Sequence, residues 1–121
     1  MTMENCYRQL GGSYEEVHTR IPNEALIRRF VGAFLTDPSC AELENAMHAG
    51  DRAAAFRAAH TLKGVCANLG FERLRLSASA LTDALRREAE TIPDAALPLW
   101  ENVQRDYRTT ADAISAFLEE A

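Results

Sequence analysis

The sequence predicts an all-α protein: an antiparallel four-helix bundle with additional short N-terminal helices. Three observations predict it. β-branched residues never alternate with a period of two, so no strand pattern arises. Alanine, leucine, arginine and glutamate are abundant, and all favour helix. Glycine and proline punctuate the chain at helix-length intervals, and the short connections they leave favour antiparallel neighbours. At 121 residues the chain reads as a single domain, 1–121. The core bundle is expected over about 37–120, with the N-terminal helices, about 4–35, packed on it.

The elements follow in order. Gly11-Gly12 closes a short first segment. Ser13 followed by Glu16 reads as a capping box for a short helix over Tyr14–Arg20. Pro22-Asn23 opens the next helix, with Leu26, Ile27, Phe30 and Phe34 expected on one face. Asp37-Pro38 opens another, its apolar positions Cys40, Leu43 and Met47, and Gly50 closes it. Asp51 caps a long helix that runs to about Leu69 and stops at Gly70. A further helix begins near Phe71 or Glu72, with Leu74, Ala78, Leu81 and Leu85 as its apolar stripe. The last follows Thr91-Ile92-Pro93 and carries Trp100, Val103, Tyr107, Ile114 and Phe117 along one side. Pro98 either starts that helix or bends it.

Bulk properties narrow the function classes. The formal net charge of −5 argues against non-specific nucleic-acid binding, which needs many cations to neutralise phosphates. No apolar run approaches the ~20 residues of a membrane span. Met1-Thr2-Met3-Glu4-Asn5 lacks the basic and apolar regions of a signal peptide, so the expected location is cytoplasmic. Cys6, Cys40 and Cys66 are odd in number and widely spaced, with no zinc or redox pattern. They are expected to be reduced and mostly buried thiols. His18 and His48 read as plain surface residues and do not pair with His60 at metal-binding spacing. There is no Gly-rich phosphate loop and no Ser/His/Asp pattern, so no nucleotide or metal site is expected.

The informative stretch is Ala59-His60-Thr61-Leu62-Lys63-Gly64. At ~100° per residue, Ala55, Ala58, Ala59, Leu62, Cys66 and Leu69 fall on one broad face and His60 points away from it. Ala53, Phe56, Gly64 and Ala67 surround the imidazole, and Arg57 and Lys63 flank it. Histidine is substantially neutral near pH 7, and its unprotonated nitrogen can attack phosphorus. Phosphohistidine gains negative charge, which a cation one turn away stabilises. Gly64 costs about 1 kcal/mol relative to alanine in a helix interior. Close approach of a partner or of the phosphoryl group would compensate that cost. Phe56, outward and apolar, suits a docking surface. The plainer readings are that Gly64 admits a neighbouring helix and that the N-terminal segment partly covers Phe56.

The stretch Ala58–Gly70 closely resembles the histidine-containing phosphotransfer (HPt) domain, stand-alone type. The family pattern is a histidine, an apolar residue at plus two, Lys-Gly at plus three and four, and Gly at plus ten. His60, Leu62, Lys63, Gly64 and Gly70 match it. Leu10-Gly11-Gly12, Phe34-Leu35 and Ala49-Gly50-Asp51 are similar too, so the resemblance covers about residues 7–87. The last helix fits by position and amphipathicity. Two positions depart from the pattern: Cys66, on the core face, and Thr82, where an acidic surface residue is common.

The resemblance implies that His60 accepts a phosphoryl group from a receiver-domain aspartate and passes it to another. Lys63 would stabilise the phosphate, Gly64 would give access, and Phe56, Arg57, Ala67, Asn68 and Phe71 would dock the partner. It also implies a phosphocarrier, not an enzyme, with no cofactor of its own and Mg²⁺ only on the receiver. Partners would be response-regulator receivers and an upstream hybrid histidine kinase, with the chain a monomer binding neither nucleic acid nor membrane. The alternatives are a non-phosphorylated module that docks on and inhibits receivers, or the histidine-bearing module of a split kinase.

Overall fold

Three glycines with positive φ, Gly11, Gly50 and Gly70, each end a helix of the computed structural model, which describes residues 1–120. The helices are α1 (Met3–Leu10), α2 (Tyr14–Arg20), α3 (Glu24–Phe34), α4 (Ser39–Ala49), α5 (Arg52–Leu69), α6 (Glu72–Leu85) and α7 (Ala96–Glu119). Each of α4 to α7 packs on the next, and α1 packs along α7. This is the expected helical bundle with short helices added at its N-terminal side.

Local chemistry explains the boundaries. Asp51 caps α5 by accepting from the Ala54 N–H at 3.1 Å. Gly70, at φ 71°, closes the same helix, and Phe71 N–H returns to the Cys66 carbonyl at 2.9 Å. A Cβ on Gly70 would also sit 2.8 Å from the Ser13 carbonyl, so both φ and space demand glycine there. Asp37, not Pro38, supplies the side-chain cap of α4, accepting from Ser39 N–H at 2.9 Å. Only half of the predicted capping box forms on α2. Ser13 accepts from Glu16 N–H at 3.2 Å, but the Ser13 N–H is taken by the Gly70 carbonyl, so Glu16 pairs with Arg20 instead.

Pro98 neither starts α7 nor interrupts it. The helix begins two residues earlier, at Ala96, so the proline lies in the first turn, where its missing N–H would have no intrahelical acceptor.

The buried stripe of α3 is Ile27, Val31 and Phe34. Leu26 is half-buried and Phe30, expected inside, is 40% exposed. The reason is that α3 touches α2, α5 and α7 only sparsely, so a narrow strip suffices. Phe30 instead rims an apolar cleft of about 460 Å³ with Ala33, Val65 and Leu69. On α6 the predicted stripe is fully inside, and Thr82 joins it. Thr82 is therefore not a surface residue. Its hydroxyl is satisfied by the Ala78 carbonyl at 2.7 Å.

The first helices are built into the core. Met3, Cys6, Tyr7 and Leu10 of α1 are all buried. Cys6 reaches the Ala113 carbonyl, Arg28 of α3 lies over the Phe117 ring at 4.9 Å, and the N-terminal amine pairs with Glu120. Contacts from α1 and α3 thus reach the C-terminal half of α7, and α6 packs on the same helix. An aromatic cluster joins these parts. Phe71 meets Phe34 edge-on at 5.0 Å and Tyr7 at 5.6 Å, and Phe34 meets Tyr107 at 5.7 Å. The Tyr7 hydroxyl donates to the Leu69 carbonyl at 2.6 Å, satisfying an acceptor at the end of α5.

All three cysteines are free, with Cys6 and Cys66 buried and Cys40 half-buried. Burial pushes the Cys6 thiol up to about 11 from an ordinary 9.0. Burial, aided by Glu44 and Asp37, does the same for Cys40, and burial raises Cys66 and Tyr7 further still. Above about pH 9 the unfolded chain releases protons that the folded chain retains. Stability is therefore expected to fall from about pH 9 toward 11. Melting temperatures recorded across that range check this, and Cys6→Ala should flatten the decline. A melting temperature constant across the window would contradict it.

Candidate functional site

The site lies on α5, an eighteen-residue helix held at both ends. At its start, Arg52 donates to the Leu85 carbonyl at 2.6 Å and to the Ala89 carbonyl at 2.8 Å, tying it to the end of α6. At its finish, Arg20 of α2 donates to the Ala67 carbonyl at 2.8 Å and the Asn68 carbonyl at 3.0 Å. A cation there also suits the negative end of the helix dipole. The helix between these clamps buries Ala55, Ala58, Ala59, Leu62, Cys66 and Leu69.

His60 is exposed on the opposite face, with Ala53, Gly64 and Ala67 exposed around it and Lys63 half-buried one turn on. Phe56 is half-buried, so it is less outward than its position on the helical wheel implies. Its ring stacks on the His60 imidazole, with centroids 6.2 Å apart and planes 17° apart. Arg86, at the end of α6, places its guanidinium 5.9 Å from the Phe56 centroid.

Gly64 is the most telling neighbour. A Cβ built there meets nothing within 4 Å. No helix of this chain needs the space, so helix packing does not explain the glycine. The vacant volume lies one turn along the exposed face that carries His60.

The remaining candidates divide. Arg57 is exposed and borders a shallow cleft of about 290 Å³ between α4 and α5, with Glu42, Ala54 and Thr61. Ala67 and Asn68 are exposed on the face running past Gly64. Phe71 is different: it is 0% exposed, within the aromatic cluster, and cannot dock a partner. The left-handed turn at Gly70 rotates the chain so that Phe71 enters the core although Asn68, three residues earlier, faces solvent.

Arg20, Arg52 and Arg86 were missed by sequence reasoning. Arg20 and Arg52 stand at helix ends, a weak signal for capping roles, whereas no spacing rule connects residue 86 to residue 60.

A family model described as the Hpt domain matches residues 36–120, more than two thirds of the chain. The chain belongs to the Hpt domain family. The match spans α4 to α7 and so includes the last helix, whereas α1, α2 and α3 lie ahead of it. Neither a curated protein nor a solved structure matches the chain. Hpt domains are phosphocarrier modules of two-component phosphorelays, so phosphotransfer by way of histidine is the general activity of this chain. Among the described residues, no helix is long and apolar enough to cross a membrane.

Proposed function

We propose that this Hpt domain is a phosphorelay intermediate in which His60 takes a phosphoryl group from a receiver-domain aspartate and delivers it to another. The carrying observation is the open volume at Gly64, one helical turn from an exposed imidazole. A helix interior keeps a glycine at a cost of about 1 kcal/mol, and no described residue comes within 4 Å of a Cβ placed there. A partner approaching His60 would use that room.

In the forward step the unprotonated imidazole nitrogen attacks the phosphorus of the aspartyl phosphate. The P–N bond forms as the P–O bond to the aspartate breaks, and the carboxylate leaves with its electron pair. The ring then releases a proton from its other nitrogen to solvent. Lys63, half-buried one turn away, offsets the added negative charge. The chain supplies nucleophile and docking face without a cofactor of its own, and Mg²⁺ belongs to the receiver's acidic pocket. Arg57, Ala67, Asn68 and the exposed part of Phe56 form the surrounding docking face. Partners on this reading are receiver domains and an upstream hybrid histidine kinase, with the chain acting as a cytoplasmic monomer rather than as an enzyme.

Incubation with a phosphorylated receiver tests the proposal: acid-labile label should pass to the chain and then chase to a second receiver. A chain that stays unlabelled with every receiver of its source organism would end it.

Gly64→Leu separates access from folding. The empty surroundings and the better helix propensity of leucine predict a melting temperature unchanged or raised by a few degrees. Transfer from the receiver should fall on the order of a hundred-fold, because a displacement of about 1 Å at the reacting atoms is that costly. Quench-flow rates and a thermal melt check both halves, and unimpaired transfer would leave the glycine unexplained.

A further inference from the structure

We propose that Arg86 is a positioning residue for His60 and acts through the Phe56 ring. The proposal rests on His60 being the phospho-accepting side chain. Its starting point is the line of contacts from α6 to α5: guanidinium 5.9 Å from the Phe56 centroid, then Phe56 stacked on the imidazole at 6.2 Å and 17°.

Each link has a physical cause. Arg52 ties the Leu85 and Ala89 carbonyls to the first turn of α5, and Arg86 lies between those two residues. The backbone of Arg86 is thus fixed beside α5 by bonds on either side of it. Its side chain is 58% exposed, and its ion pair with Asp83, itself 62% exposed, is 3.3 Å long. Such a pair is largely screened by water and leaves the guanidinium available to the ring. Phe56 precedes His60 by one turn, and side chains on a helix lean back toward that turn, so the imidazole lies along the ring. An exposed histidine without such a neighbour spreads over several rotamers. In-line attack on phosphorus needs one of them, with the reactive nitrogen held outward. Arg86 steadies the ring, and the ring steadies the imidazole.

The test uses phosphoramidate, a donor too small to need a docking surface, and compares four proteins: wild type, Arg86→Gln, Phe56→Leu and the double variant. Initial rates of His60 phosphorylation are followed by ³¹P NMR, and the His60 ring-proton resonances are recorded without donor. Arg86→Gln should slow labelling about three-fold, the scale of an exposed cation–π contact, with Arg86→Lys recovering part of the loss. The double variant should be no slower than Phe56→Leu alone. The His60 ring protons should move in Arg86→Gln in the same direction as in Phe56→Leu.

Unchanged labelling in Arg86→Gln, or effects that multiply in the double variant, would overturn the positioning role. So would His60 resonances identical to wild type, a readout that needs no phosphoryl transfer. A wild-type protein that labels elsewhere than at His60 would instead overturn the phospho-accepting reading, and the resonance comparison would still report on the stack by itself.

Discussion

His60→Gln is expected to abolish phosphoryl uptake from any receiver while leaving the fold intact. Glutamine keeps a planar polar side chain of similar reach, but its amide nitrogen has no free lone pair and cannot attack phosphorus. The imidazole is exposed and outside the buried set of α5, so its loss opens no cavity. The packing forfeited includes the stack on Phe56, itself half-buried. Surface changes of this kind alter stability by about 0.5 kcal/mol or less. Acid-labile label should therefore be absent from a protein whose circular dichroism and melting curve match wild type. Label of undiminished amount in the variant would move the phosphorylation site off His60, and the neighbouring roles assigned to Lys63 and Gly64 would go with it.

Much of the architecture was legible because it is local. Asp51 and Gly70 bracket α5 through a side-chain cap and a left-handed residue, both readable from residue type. The four-three-four spacing of Leu74, Ala78, Leu81 and Leu85 places one face of α6 inside without reference to any other helix. The outward direction of His60 follows from the same arithmetic on α5. What the sequence hid depends on contacts between distant segments. Val31, not Phe30, is buried because α3 covers only a narrow strip. Phe56 is drawn half inside, beside His60 and Arg86, by the neighbouring end of α6. Arg20 finds its carbonyls across 47 and 48 residues of chain. No periodicity encodes such pairings.

Phe71→Ala is expected to be among the most destabilising substitutions in the chain, and to do so without acting on docking. The ring is fully buried and touches Phe34 and Tyr7, so it joins α1, α3 and the start of α6. Truncating a core phenylalanine costs about 3–5 kcal/mol, through lost transfer energy and the cavity left behind. That is a large share of the roughly 5–15 kcal/mol that keeps a domain folded. The melting temperature should fall on the order of 15 °C, and the urea midpoint should fall with it. Phe71→Leu, which refills much of the volume, should cost clearly less. Two outcomes are distinguishable. If Phe71 serves the core, the folded fraction of Phe71→Ala at low temperature should pass phosphate at a rate close to wild type. A variant that melts within a degree or two of wild type yet transfers slowly would return Phe71 to the docking face. It would also contradict the aromatic cluster that holds α1 and α3 against the Hpt bundle.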